Sequence, residues 1–498
     1  MIDNLLLGLT HALSPEALFF CLLGVTIGTF IGVLPGVGSI AAISLALPLT
    51  FHMDPTVALI MLAGIFYGAQ YGGSIASILV NIPGTSSAAV TCLDGYPMTR
   101  AGRGGVAIFA TTISSFVGGS LAILALMAFA PTLAGFSLRF GSGEYFAIMV
   151  FALVAASGIG NDAPAKGLAM VLLGLLLGMI GTDVTTGQFR FTFGNMALMD
   201  GLSLVAMAVG LFGISEVLAN LAGHPETRPQ RQSFSLRAML PDRGDWGRSV
   251  GPTLRGAATG IGLGVLPGSG PTIATFVAYA IERRLSRRPE SFGQGAIEGV
   301  TAPESASNAS VQAGFIPTLS LGIPGDPVMA ILLGAMMIHG VTIGPRFITN
   351  EPEMFWALIA SFWIGNVFLL LLNIPLIGIW VRLISMPYRV LYLFILFFVC
   401  IGVFAVRANL FDVGLALGFG VLGYVMAQLR YPAAPLLLGF VLGPLLEEHF
   451  RRGMLLADGS LLRMLEGPIS LFFLAATALF VLVRLGGALR ARRSGGPG

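Results

Sequence analysis

The sequence predicts an all-α polytopic membrane protein built of two inverted-topology repeats, each with a re-entrant hairpin and a broken helix. Three observations carry this. Of the 498 residues 55% are hydrophobic and only 10% charged, with a mean hydropathy of +0.87, whereas soluble domains carry about 25% charged residues. Runs such as 106–130, 354–379 and 391–406 are predominantly apolar and contain no charged residue. A hydrocarbon core takes about 20 such residues as a helix, and the runs lack the alternation of outer-membrane strands. The third is a repeat: Gly32-Val33-Leu34-Pro35-Gly36-Val37-Gly38 returns as Gly264-Val265-Leu266-Pro267-Gly268-Ser269-Gly270. Each copy breaks a helix with Pro and Gly, and inside a bilayer the freed backbone groups must find partners.

Along the chain, residues 1–15 read as an interfacial lead-in. An apolar arm, 17–34, meets the first Pro-Gly break and a second arm follows at 40–51, too short to span. Together they read as a re-entrant hairpin. Residues 55–81 form a helix in which Tyr67, Tyr71, Ser74, Ser77 and Asn81 share one face. It runs into a second break, Asn81-Ile82-Pro83-Gly84-Thr85-Ser86-Ser87, then Asp94-Gly95-Tyr96-Pro97. Four apolar segments follow near 105–134, 143–160, 165–182 and 197–222. Asn161-Asp162 reads as a helix cap at a loop.

Residues 223–249, with five Arg and three Pro, read as a cytoplasmic linker. The second half replays the first: arms 250–266 and 271–282, then a helix from about 296 with Glu298, Thr301, Ser305, Asn308 and Gln312 at helical spacing. It reaches Gly322-Ile323-Pro324-Gly325-Asp326, matching the first half's second break. The first motifs are offset by 232 residues and the second by 241. Segments near 327–343, 354–383, 388–406, 411–429, 431–446 and 468–485 complete the chain. The expected domains are therefore 1–222, the linker 223–249, 250–467, and a last spanning helix with a basic tail, 468–498.

Basic residues set the orientation. No Lys or Arg precedes Arg100, and clusters of them then stand at 100–103, 228–248, 283–288 and 490–493. Positive-inside logic puts these clusters in the cytoplasm and the N-terminus outside. The first hairpin lacks a basic flank and the second has arginines on both sides, so they enter from opposite faces, the inverted arrangement of secondary transporters. Arg451 and Arg452 fit this threading worst. Cys21, Cys92 and Cys400 lie in or beside apolar runs and suggest no disulfide. The start lacks the basic region of a signal peptide.

A helix that stops within the membrane aims free amides and a partial positive charge beyond its end, which suits an anion. Gly36, Gly38, Gly268 and Gly270 let those amides approach a ligand closely. Ser39, Ser269 and Thr272 add hydroxyl donors, and freed carbonyls suit a bare cation such as Na⁺. No Lys or Arg lies in 28–87, 260–272 or 298–326. An anion held there by dipoles and hydroxyls depends on a co-bound cation, a physical route to symport. Glu304 and Asp326 stand out because carboxylates at membrane depth are rare. Pro-Gly breaks also serve as packing kinks, and Ser74 and Ser77 also suit close helix packing; two matched copies favour the functional reading.

Other chemistry has little support. Gly36-Val37-Gly38-Ser39-Ile40-Ala41 fits a dinucleotide fingerprint but lacks any βαβ context. The five His are scattered without metal-ligand spacing, and no nucleophile–base set is visible, so an enzyme is not expected. An anion channel or a non-transporting membrane scaffold is the alternative. A channel wants a continuous polar pore, whereas these polar stripes stop at paired breaks.

The motifs at 32–38 and 71–83, Asp94-Gly95-Tyr96-Pro97, Ala302-Pro303-Glu304 with Asn308, and Leu321-Gly322-Ile323-Pro324-Gly325 resemble the large membrane (permease) subunit of the bacterial tripartite tricarboxylate transporter family. The resemblance covers most of the chain. It implies a multi-pass inner-membrane symporter of di- or tricarboxylates, coupled to Na⁺ with H⁺ as the alternative and without a covalent cofactor. It also implies an elevator-type architecture and two partners, a small four-helix membrane subunit and a periplasmic solute-binding protein. Carried over by position, Pro35, Gly36, Gly38 and Ser39, and Pro267, Gly268, Ser269 and Gly270, are the hairpin tips. Asn81, Pro83, Gly84, Thr85 and Ser86 face them at one helix break, and Pro324, Gly325 and Asp326 at the other. Ser74, Ser77, Thr272, Glu304, Ser305 and Asn308 complete the implied substrate and ion site. The chain departs from the family pattern at Ser307, where Asn is usual, and at Asp326, where a small residue is usual.

Overall fold

The computed structural model describes residues 2–34, 38–137, 140–157, 164–183, 186–221, 236–266, 270–341, 343–344, 346–384 and 388–493. The hairpin-tip residues Pro35, Gly36, Pro267, Gly268 and Ser269, the pair Asn161-Asp162, and residues 223–235 of the expected linker lie outside them. Among the described residues six helices are long and apolar enough to cross a membrane, at Pro15–Val33, Pro55–Val80, Gly104–Leu133, Pro352–Asn373, Leu410–Gln428 and Ala433–Leu456. The chain folds into two compact units, Met1–Gly135 with Ala208–Tyr424, and Phe136–Met207 with Val425–Gly498.

In the first unit the lead-in is helical: α1 (Ile2–Ala12) packs on α17 (Pro352–Asn373), where Gly8 admits the backbone of Trp356. The first hairpin is α2 (Pro15–Val33) and α3 (Gly38–Thr50), followed by α4 (Pro55–Val80). Ser14 caps α2 and Asp54 caps α4, each just before a proline in the first turn, the position a helix tolerates. A 3₁₀ turn (Ser86–Ala89), α5 (Thr91–Arg100) and the long α6 (Gly104–Ser137) follow.

The second hairpin and its helix repeat this order. After α11 (Leu236–Met239), α12 (Arg243–Gly264) and α13 (Gly270–Leu285) form the arms, and α14 (Glu298–Leu321) is the broken helix, continued by α15 (Pro327–Ile338). Helix α12 starts at Arg243, so the last residues of the expected linker are its first two turns. Short α16 (Phe347–Asn350) leads into α17. The apolar run 354–383 is two helices, α17 and α18 (Ile377–Ile384), because α17 ends at Asn373 before Pro375. Helices α19 (Tyr388–Arg407) and α20 (Leu410–Gln428) follow. Helix α20 packs its Gly420 and Gly423 on a π-helical turn (Val209–Ile214) between α9 (Leu204–Ala208) and α10 (Ser215–Leu221).

Glycines determine how each arm meets its helix. Gly24, Gly28 and Gly32 lie one turn apart on α2, and their faces touch the carbonyls of Met61, Ile65 and Ala69 on α4. Gly256, Gly260 and Gly264 on α12 meet the carbonyls of Ala302, Ala306 and Ser310 on α14. The glycines are offset by 232 and their partners by 241, the two offsets of the sequence motifs. Small residues at this spacing let helix backbones approach closely within a membrane. In both halves the numbers rise together, so each first arm runs parallel to its broken helix. Between the halves they run opposite ways: Gln70 meets Ser307 and Ser74 meets Glu304, so α4 and α14 are antiparallel.

The second unit contains α7 (Ser142–Ser157), α8 (Pro164–Gly178), a two-stranded antiparallel hairpin of β1 (Gly181–Thr182) and β2 (Phe189–Arg190), α21 (Ala433–Leu456), α22 (Leu461–Leu465) and α23 (Pro468–Arg493). Gly174 on α8 meets the Leu436 carbonyl, and Gly439 on α21 meets that of Val171. Arg190 grips Glu447 through two bonds, at 2.8 and 3.1 Å. Arg451 reaches Asp183 at 3.1 Å and Glu447 at 2.6 Å. Arg451, the residue that fitted the charge threading worst, therefore sits in a set of two arginines and two carboxylates.

Candidate site at the helix breaks

Both broken helices end in the left-handed backbone region. Asn81 ends α4 with φ 58° and Gly322 ends α14 with φ 71°. Asn and Gly are the residues that enter this region at least cost. The chain then doubles back, so that Gly84 lies against the Gly32 carbonyl and Gly73, and Gly325 lies near the Gly264 carbonyl and Gly314. The second arms also start in left-handed turns, at Gly38 with φ 73° and Gly270 with φ 55°.

Three contacts bring these pieces to one place. A Cβ on Gly38 would lie 4.0 Å from the Gly84 carbonyl oxygen, and one on Gly270 would lie 3.7 Å from the Asp326 Cβ. Between them, the hydroxyls of Ser86 and Thr272 are 2.8 Å apart, joining the first half's break to the second half's hairpin on an exposed edge. Helices α3, α13 and α15 thus begin where both breaks lie; the first-turn amides of α3 and α13 make the region favourable to an anion, while the start of α15 is already capped by Asp326.

Behind this mouth, α4 and α14 cross through two buried polar groups. The Gln70 side-chain oxygen accepts from Ser87 at 2.6 Å, Thr85 at 3.4 Å and Ser307 at 3.5 Å, forming a knot of four neutral oxygens drawn from both halves. One turn on, Ser74 donates to Glu304 at 2.6 Å, and Thr91 donates to the other oxygen of the same carboxyl. Ser74 also lies 3.1 Å from the Gln70 backbone carbonyl, which ties the two groups together. Tyr71 reaches Asn366 on α17 at 3.4 Å. Among the described residues no three His, Cys, Asp or Glu side chains converge as a metal site.

Asn81 is exposed at its helix end, Pro83 is half-buried, and Ser39 and Pro324 are buried beside their breaks. Asp326 caps α15, accepting from the Met329 amide at 2.9 Å. Asn308 donates to the Glu304 backbone carbonyl within its own helix, and Ser77 bonds back to Gly73. Ser305 turns away from the crossing and donates to the Thr253 carbonyl of α12. Sequence reasoning passed over Gln70, Ser87 and Thr91 as site residues. Gln70 could have been found, since Gln70, Ser74 and Ser77 are spaced as one helical face; Ser87 and Thr91 carry no such signal.

A second buried carboxylate joins the halves at the opposite end of the crossing from the α4 start. Asp94 on α5 accepts from the amides of Gly293, Gly295 and Ala296, each at 2.8 Å, and from the Tyr279 hydroxyl at 2.9 Å. Its four donors hold the loop that begins α14 against α5. Ion pairs flank this end: Arg103 with Asp245, and Arg248 with Glu298 at 2.7 Å.

The sequence profile described as "TctA: Tripartite tricarboxylate transporter TctA family" matches residues 18–438. The chain is 46% identical over 495 residues to the "Uncharacterized 52.8 kDa protein in TAR-I ttuC' 3'region" of Agrobacterium vitis, covering 99% of this chain and 98% of that protein. It is 48% identical over 231 residues to the "Uncharacterized protein in TAR-II ttuC' 3'region" of the same organism, covering 46% of this chain and 96% of the relative. No solved structure matches.

Proposed function

Because the chain belongs to the tripartite tricarboxylate transporter TctA family, we propose that it imports a small di- or tricarboxylate across the bacterial inner membrane by cation symport. The convergence of both breaks and both second arms, read from Gly38–Gly84, Ser86–Thr272 and Gly270–Asp326, is the observation that supports this most. Converging helix starts, hydroxyls and close-approach glycines suit a carboxylate, and the motif stretches contain no Lys or Arg to neutralise it. A co-bound cation supplies that charge. The knot of Gln70, Thr85, Ser87 and Ser307 offers neutral oxygens of the kind Na⁺ takes, contributed by both halves, so filling it favours the closed crossing.

The shared offsets and the opposite directions of α4 and α14 support inverted-topology repeats. The first unit holds both hairpins and both breaks, so it carries the whole site and suits an elevator-type cycle. In that cycle the site-bearing body moves with its cargo bound. The tripartite family membership supports two partners, a small four-helix membrane subunit and a periplasmic binding protein that delivers the substrate.

Reconstitution tests this. Vesicles holding the complex should accumulate labelled carboxylate only under an inward Na⁺ gradient and only with the binding protein present. Uptake indifferent to every cation gradient would overturn symport, and passive flux in both directions would establish a channel.

A further inference from the structure

A slot between α6 and α12, at the arginine-rich end of the first unit, has no part in the proposed transport site. The two helices run in the same direction. The rings of Phe109 and Trp246 meet edge to face at 6.1 Å. About three turns further on, Ala122 packs with Ala257 and with Ala309 of α14. Between these contacts the helices stand apart around a cavity of about 120 Å³. Ala110, Ile113 and Val117 line it from α6, and Trp246, Val250 and Leu254 from α12. The last three follow at one-turn spacing and are 41%, 55% and 50% exposed, so the slot is open along its side.

The lining selects an apolar guest. Its hydroxyls, on Ser114, Ser249, Thr253 and Thr301, each donate to a carbonyl of their own helix three or four residues back. The α6 hydroxyls that make no such bond, at Thr111 and Ser115, are not on the lining. The hydrogen left over is that of the Trp246 indole, at the arginine end. An ordered water wants two to four polar partners, which this lining does not supply. A helix with its side chains is about 10–12 Å across, far more than such a volume holds, whereas a flexible hydrocarbon chain fits.

Charge identifies the headgroup. Arg243 lies three residues before Trp246, on the same face of α12. Arg237 lies on α11, whose Met239 packs against Gly105 at the start of α6. Both arginines are exposed, and among the described residues neither forms an ion pair. The acids of this end are engaged: Asp245 with Arg103, Glu298 with Arg248, and Asp242 as the cap of α12. Unpaired arginines beside a bilayer attract anionic lipid, and Trp favours the headgroup level.

We propose that the slot is a lipid site, which takes an acyl chain of an anionic phospholipid with its phosphate on Arg243 and Arg237. Helix α12 is the first arm of the second hairpin and is seated on α14 through Gly256, Gly260 and Gly264. The bound chain fills the gap between that arm and α6, so the arm's support depends on the composition of the membrane. The site stands whether or not transport is symport.

Lipids brominated on the acyl chain test this, with the full chain reconstituted in vesicles of mixed phosphatidylglycerol and phosphatidylcholine. The Trp246 fluorescence is the difference between wild type and Trp246→Phe. Its quenching should favour brominated phosphatidylglycerol by about fivefold for each of the two arginines. Arg243→Ala should lower the preference by that factor, and Ala110→Leu, which fills the slot, should weaken quenching by both lipids. Equal quenching by the two lipids, or an Arg243→Ala variant with the wild-type preference, would overturn the proposal. A folded Ala110→Leu protein quenched like wild type would put the chain outside the slot and overturn it too. So would loss of the Trp246 quenching in the complex copurified with its membrane partner, because a protein then covers the slot. Arg243 is exposed and unpaired, so its variant keeps the fold and decides the matter even where Ala110→Leu does not fold.

Discussion

At the residue scale, the crossing of α4 and α14 divides its labour between a neutral group and an acidic one a turn apart. Gln70 gathers three hydroxyls on one amide oxygen, which has only two lone pairs. Such crowding suits a site where the oxygens turn toward a small cation. Gln70→Leu keeps the length of the side chain and removes that oxygen. It should raise the Na⁺ concentration that half-saturates uptake by about tenfold, the equivalent of one good neutral contact. At saturating Na⁺ the KM for carboxylate should move far less. A Na⁺ dependence identical to wild type would remove the knot from the coupling site and leave it a packing feature. Asp326 illustrates the opposite case: a residue singled out as a buried acid has its carboxylate engaged as the N-cap of α15.

At the element scale, the fold rests on backbone-to-backbone contact at glycines, and two residues of one helix separate contact from propensity. A Cβ on Gly260 would lie 2.3 Å from the Ala306 carbonyl oxygen, whereas one on Gly262 would meet nothing within 4 Å. Gly260→Ala should therefore destabilise the solubilised protein by about 1–3 kcal/mol, as overpacking does. Gly262→Ala should be neutral or gain up to about 1 kcal/mol, the helix propensity difference. Thermal unfolding in detergent measures both, and equal shifts would refute the contact. These glycines also mark what the sequence could reveal. The breaks at 81–86 and 322–326 and the arms of both hairpins were legible because Pro and Gly act locally and repeat at fixed offsets. The pairing of Gln70 with Ser307, or of Asp94 with Gly293, was not, because residues some 200 positions apart meet only after the helices pack. The split of 354–383 at Pro375 was legible in principle but hidden by an unbroken apolar composition.

At the scale of the whole molecule, the direction of each helix follows from which ends share ion pairs. The start of α14 lies with Arg248 and, through Asp94 and the amides before α14, with α5; Arg103 and Asp245 pair beside them. The start of α4 is capped by Asp54, whose charge His339 senses at the end of α15. In the first unit these are opposite ends, and the arginine-rich end is the one that positive-inside logic assigns to the cytoplasm. His52 precedes α4 and Arg287 precedes α14, and both are exposed. Cysteine placed at 287 should react with an impermeant maleimide only from the cytoplasmic side, and cysteine at 52 only from the periplasmic side. Both variants need Cys92 and Cys400, which are partly accessible, replaced first. Labelling of both positions from one side would refute the inverted arrangement. A third cysteine at 452 tests the residue beside the Arg451 ion set. If it labels from the periplasm, it shows that arginines neutralised by Asp183 and Glu447 escape the positive-inside bias, as their cancelled charge requires.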